Sequence, residues 1–178
     1  MQTEPPQYPA GPYEADGPYD QDHRTAYVAE IAAAPVRLRQ AAGGLSAAQL
    51  ETKYRNWTIR QIAHHLGDSH LHAYARFKLA LTEDRPTIKP YLEGRWADLP
   101  DGREAAIEST LTMMEGVHDR WVYLLRAMTP DQYARVYFHP ESQTVVPLYE
   151  ALGYYVWHSH HHTAQILWVR RERLGLRD

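Results

Sequence analysis

Four of the eleven histidines in this 178-residue chain lie within five positions, in the run W-H-S-H-H-H-T that holds His158, His160, His161 and His162. A neutral imidazole nitrogen binds divalent zinc, nickel, copper or iron, and the same ring carries protons near neutral pH. Which of the four can act together depends on the helix that carries them. Stepping about 100° per residue, an apolar stripe of Leu148, Ala151, Leu152, Tyr155, Ile166 and Val169 also contains His158 and His162. These two are one turn apart, close enough to share an ion. Two adjacent imidazoles on an apolar face are costly to bury unless something pairs them. His160 projects to the opposite side and His161 to a flank.

Two ligands do not make a site, and a third is expected from a facing helix. The run H-H-L-G-D-S-H-L-H supplies His64, His65, His70 and His72 on a stripe marked by Ile59, Ile62, Ala63, Leu66, Ala73, Phe77 and Leu81. His70 lies nearest the centre of that stripe, His65 on one flank, and His64 points away, so spacing alone slightly favours His70 over His65. His118 falls in the apolar seam of another helix and is expected to be a core histidine or a support for a ligand rather than a ligand. With no cysteine in the chain, there can be no disulfide, no thiolate metal site and no cysteine nucleophile. Any bound metal must use nitrogen and oxygen.

The elements that would position these rings are helical. Thr25 to Ala42 is rich in Ala, Leu and Arg and stops at Gly43-Gly44, while Pro35 inside it predicts a kink or a division. Thr58 and Gln61 suit a capping box, and the helix that follows ends before Pro86. Ile107, Leu111, Met114, His118, Trp121, Leu125 and Met128 alternate spacings of four and three, the seam of a bundle helix that Thr129-Pro130-Asp131 ends. Pro147 fits the first position of a last helix running to about Leu174, with Gly175 beyond it. Tyr133 to Val146, interrupted by His139-Pro140, predicts a short hairpin or an irregular excursion rather than a sheet.

Glu83 to Gly102 holds three prolines and two glycines and is expected to be a long loop of the kind that can cover a site. Glu93 and Tyr91 within it are candidate catalytic groups, and Arg95 and Arg76 are candidate contacts for an anionic substrate. Residues 1–20 predict an extended, proline-rich arm laid on the body. The expected class is all-α: one domain over 1–178, a four-helix bundle with a long loop and an extended N-terminal arm.

Composition narrows the partners. A net charge of −3 and a pI near 6.4 leave no basic surface for phosphates, so nucleic acid is not expected. No run approaches the roughly 18 consecutive apolar residues of a membrane span. Met1 to Tyr19 lacks the basic start and apolar core of a secretory signal, so a soluble, cytoplasmic protein is expected. The aromatic set, 13 Tyr and 5 Trp against 2 Phe, suits walls that are partly wet.

The motifs Y-P-A-G-P-Y, W-T-I-R-Q-I-A-H-H-L-G-D-S-H, R-F-K-L-A-L-T-E, I-K-P-Y-L-E-G-R-W, H-D-R-W-V-Y-L-L-R, F-H-P-E and A-L-G-Y-Y-V-W-H-S-H-H-H-T-A occur in order along nearly the whole chain. In these the sequence resembles the DinB/YfiT-like superfamily, and within it the YfiT branch. The resemblance implies a four-helix bundle, a homodimer, and one divalent metal per chain, zinc or nickel, held by three histidines. Carried over position by position, the ligands are the second histidine of the H-H pair, His65, with His158 and His162; His70 and His118 are left to support them. The segment R-N-W before the second helix is shorter than in the family. The resemblance further implies a metal-dependent enzyme. A thiol substrate would make it a bacillithiol S-transferase of the BstA type, joining a small thiol to an electrophile. Water would make it a hydrolase, and a metal-binding stress protein without turnover is the reading from another class.

Overall fold

The structure is a computed structural model and describes residues 4–15, 17 and 19–176; residues 1–3, 16 and 18 of the expected arm, with 177 and 178, lie outside the described residues. In chain order the elements are α1 (Gln21–Ala42), α2 (Ala47–Leu50), β1 (Lys53–Tyr54), β2 (Trp57–Thr58), α3 (Ile59–Thr82), α4 (Glu93–Ala97), α5 (Pro100–Glu104), α6 (Ile107–Ala127), α7 (Pro130–Tyr133), β3 (Val136–His139), β4 (Thr144–Pro147) and α8 (Leu148–Glu172). The four long helices form a bundle in which α1 and α3 each pack against both α6 and α8. The strands make two antiparallel hairpins, with Lys53 opposite Thr58 and Val136 opposite Pro147.

Local chemistry explains most boundaries. Thr58 Oγ1 accepts from the Gln61 amide at 3.1 Å while Gln61 Oε1 accepts from the Thr58 amide at 3.0 Å, the expected capping box of α3. Gln61 Nε2 also donates to the Ala97 carbonyl at 2.9 Å, tying the start of α3 to α4. The expected long loop does contain α4 and α5; Pro100 begins the second of these at a position where its missing N–H costs nothing. Pro147 is the cap before α8 rather than its first residue. Asp20 caps α1 by accepting from the His23 amide, so that helix starts four residues before Thr25.

Pro35 does not divide α1. A proline removes the N–H that the carbonyl four residues earlier would receive, here that of Ile31. This carbonyl instead accepts from His118 Nδ1 of α6 at 2.7 Å, so the helix continues with its orphaned acceptor satisfied from a neighbour.

Two apolar clusters fill the bundle. One contains Val28, Ile31, Ala73, Phe77, Trp121, Leu152 and Tyr155, the other Leu38, Ile62, Leu66, Leu111, Met114, Ile166 and Val169. Between them each long helix contributes something different: Pro35 from α1, His70 from α3, His118 from α6, and His158 with His162 from α8, all buried. A belt of imidazoles therefore crosses the bundle at mid-height.

Gly67 lets α3 approach α6 closely beside this belt. A Cβ there would stand 2.4 Å from Thr110 Cγ2 and 3.0 Å from Met113 Cε. Overpacking of this kind costs about 1–3 kcal/mol, against about 1 kcal/mol of helix propensity gained by replacing glycine. Gly67→Ala is therefore expected to lower the urea midpoint, and an unchanged or higher midpoint would show that the interface yields freely.

Candidate metal centre

α3 and α8 bring His65, His158 and His162 together: one ring nitrogen from each lies within 4.8 Å of the others, and all three residues are buried. Ring centroids are 4.4 Å apart for His158 and His162, 4.7 Å for His65 and His162, and 5.3 Å for His65 and His158. His65 Nε2 faces His158 Nε2 at 3.4 Å. His162 Nδ1 donates to Gln165 Oε1 at 2.9 Å, which leaves its Nε2 as a bare lone pair. The same Gln165 donates through Nε2 to His161 Nε2 at 2.9 Å. His65 Nδ1 lies 3.4 Å from the Tyr91 hydroxyl, and Trp57 packs on both His65 and His162.

Burial keeps these rings neutral. It lowers His65 to about 4, with a further push from His161. Burial first, and then the neighbouring imidazoles, hold His158 and His162 well below the ordinary histidine range. Three neutral nitrogens within 4.8 Å of one another, with no charged group among them, could serve as a donor set for a divalent cation with coordination positions to spare.

The other expected residues lie around this cluster. His70, favoured by spacing, sits one layer deeper: its Nδ1 is 2.9 Å from His118 Nε2, with the two rings stacked. The reason is that the centre of the α3 stripe faces the packed core, whereas the cleft toward α8 opens at its flank, where His65 lies. Tyr91 stacks on His72 with rings 6° from parallel and is held near His65, so it orients that ring from the loop. Its phenol is pushed above the ordinary range, mainly by burial and then by Glu93. Glu93 is exposed at the mouth of a cavity of about 380 Å³, also lined by Tyr91, Arg76, Tyr154, Tyr155 and His158. Although the residue is largely exposed, loss of water around its carboxyl at the cavity wall, and then Glu141, raise the Glu93 pKa. Arg76 donates to the Tyr155 hydroxyl at 2.8 Å on the wall of this cavity, whereas Arg95 is exposed on α4 outside the lining. His64 is engaged with Thr110 and the Ala105 carbonyl, and His160 with Glu30.

Sequence reasoning missed Gln165 and Trp57. Gln165 stands three residues after His162, a helical neighbour that the spacing rule would have exposed. The arm contributes as well. Tyr8 packs on Trp157 and His161, Trp157 Nε1 donates to the Gly11 carbonyl at 3.0 Å, and Tyr13 lines the cavity. No helix among the described residues is long and apolar enough to cross a membrane.

With this geometry in place, comparison with known proteins gives a consistent picture. Residues 30–166 match the model of the DinB superfamily. YfiT of Bacillus subtilis is 41% identical over 94% of this chain and 95% of its own length, and a Bacillus pumilus protein named provisionally as a metal-dependent hydrolase is 46% identical over 90% and 92%. The solved structure of Bacillus subtilis YfiT, a probable metal-dependent hydrolase with an unusual four-helix bundle topology, is matched with a TM-score of 0.91 at 40% identity, covering 96% of this chain and 98% of that one. The chain belongs to the DinB superfamily, on its YfiT-like branch.

Proposed function

We propose that His65, His158 and His162 hold one divalent metal ion, zinc or nickel, and that the chain is a metal-dependent enzyme joining a small thiol such as bacillithiol to an electrophile. The observation that carries the metal reading is the convergence of three buried, neutral ring nitrogens, with Gln165 accepting from His162 Nδ1 so that Nε2 is left free to bind. The names of the Bacillus relatives, which give a metal-dependent hydrolase, support a metal-dependent reaction. An ion held by neutral imidazoles alone keeps its full charge and acidifies a thiol or water in its open position. The thiol reading rests on the resemblance of the motifs to bacillithiol transferases and agrees with a chain that has no cysteine of its own. The homodimer implied by the same resemblance belongs to this proposal.

The protein's own side chains then have separate tasks. Gln165 and Tyr91 orient two of the ligands. Arg76, fixed by Tyr155, presents its guanidinium to an anionic part of a substrate in the cavity. Glu93, at the mouth and holding its proton to higher pH than an ordinary glutamate, exchanges a proton with the incoming group. The second reading is hydrolysis, favoured by the relatives' names. Rates with metal-loaded protein, a chromogenic electrophile or ester, and bacillithiol present or absent separate the two. Conjugation requiring metal and thiol together is expected; turnover of an ester or amide without thiol would replace transfer by hydrolysis, and equal rates for loaded and metal-free protein would reject both.

A further inference from the structure

The belt of imidazoles has a direction, and Pro35 sets it. The Ile31 carbonyl can only accept, so the 2.7 Å bond places the proton of His118 on Nδ1. A neutral His118 then offers a lone pair at Nε2, which lies 2.9 Å from His70 Nδ1 and receives that atom's proton. His70, fully buried, is left with a lone pair at Nε2. That nitrogen has no partner among the described residues, and neither does His158 Nδ1, equally buried. The two rings stand 5.9 Å apart and 33° from parallel, only slightly farther than the 4.9 Å of the bonded His70–His118 pair. If His158 uses Nε2 as a ligand, the nitrogen facing His65, its remaining proton must sit on Nδ1.

We infer that His70 Nε2 is the buried acceptor for the His158 Nδ1 proton, so that Pro35, through the Ile31 carbonyl, His118 and His70, fixes the tautomer and ring orientation of a ligand on the opposite helix. The inference rests on the reading of His158 as a ligand. It makes His70, His118 and Pro35 positioning residues, reaching from α1 through α6 and α3 to α8. The first two links are neutral hydrogen bonds, the polarity of the second following from the first, and the third, from His158 Nδ1 to His70 Nε2, is the one inferred. An unpaired buried acceptor beside an unpaired buried donor is otherwise a defect that a packed interior disfavours. It also accounts for a proline in mid-helix: an alanine at position 35 would return an N–H to Ile31 and compete with His118 for its carbonyl.

The test begins on metal-free wild-type protein, where long-range ¹⁵N–¹H NMR of the imidazoles reads each tautomer directly. Protons on Nδ1 of both His118 and His70 are expected; a proton on His70 Nε2 would overturn the inference. Metal affinity is then measured by competition with a chromogenic chelator. His70→Leu is expected to lose about 10–100-fold, as ligand-supporting partners usually do. His70→Gln, which keeps one donor and one acceptor, is expected to recover most of that loss. Wild-type affinity in a folded His70→Leu protein overturns the inference even if His158 binds metal. Metal content unchanged in His158→Ala would instead remove the ligand reading on which it rests, so the two failures are distinct.

Discussion

Protein carrying His158→Ala is expected to emerge from purification without stoichiometric metal, while His160→Ala, about 3 Å of helix rise away, retains a full complement. The first change deletes one of three converging nitrogens; the second removes a ring that faces Glu30 on the outside of α8. His65→Ala and His162→Ala are expected to behave like His158→Ala. Losing a direct ligand should weaken binding by more than the 10–100-fold that follows loss of an outer hydrogen-bonding partner. Elemental analysis of the four proteins, with titration of zinc and nickel into chelated samples, measures the effect. Stoichiometric metal in His158→Ala would remove the centre proposed here.

Metal-free protein is expected to unfold in mild acid, well before its carboxylates are fully protonated. Burial holds His65 and His118 at about 4, whereas an unfolded histidine takes up a proton near 6.5. Between these values the unfolded chain binds more protons than the folded one, so stability is complete above about 6.5 and is lost as pH falls toward 4. Each of the two rings accounts for on the order of 3 kcal/mol across that window. Half that amount from each would still remove about 3 kcal/mol, a large part of the 5–15 kcal/mol typical of a folded domain. His70, His158 and His162 act in the same direction. Urea midpoints at pH 7.5, 6.0 and 5.0 should therefore fall steeply. Added metal should raise the midpoint at pH 7.5 by binding only the folded state. A flat profile from 7.5 to 5.0 would mean that the belt is wet rather than dry.

The helices were legible because they obey one rule each. The stripe from Ile107 to Met128 and the Thr58–Gln61 cap are local signals, and α6 and α3 follow them closely. His158 and His162 were legible for the same reason, being one turn apart on an apolar face. What periodicity could not show was the angle between α3 and α8. The flank holding His65 becomes the inner wall of a cleft only once that angle is set, and the family motifs, rather than spacing, pointed to His65. Pro35 illustrates the opposite failure. Within α1 it is a breaker; its compensation comes from His118, which reaches the Ile31 carbonyl across 87 residues, and no local rule reaches that far. The short helices α4 and α5 were hidden among prolines and glycines that also start and end turns of helix.

The strap made by Tyr8, Gly11 and Tyr13 over Trp157 bears on how the molecule is born. Its hydrogen bond joins positions 146 residues apart, so the segment around Gly11 leaves the ribosome well before the partner it needs. At about 5–20 residues per second, that wait lasts roughly seven to thirty seconds. During it the aromatic arm, and once α3 is made the cleft that still lacks α8, stay open to chaperones and to other nascent chains.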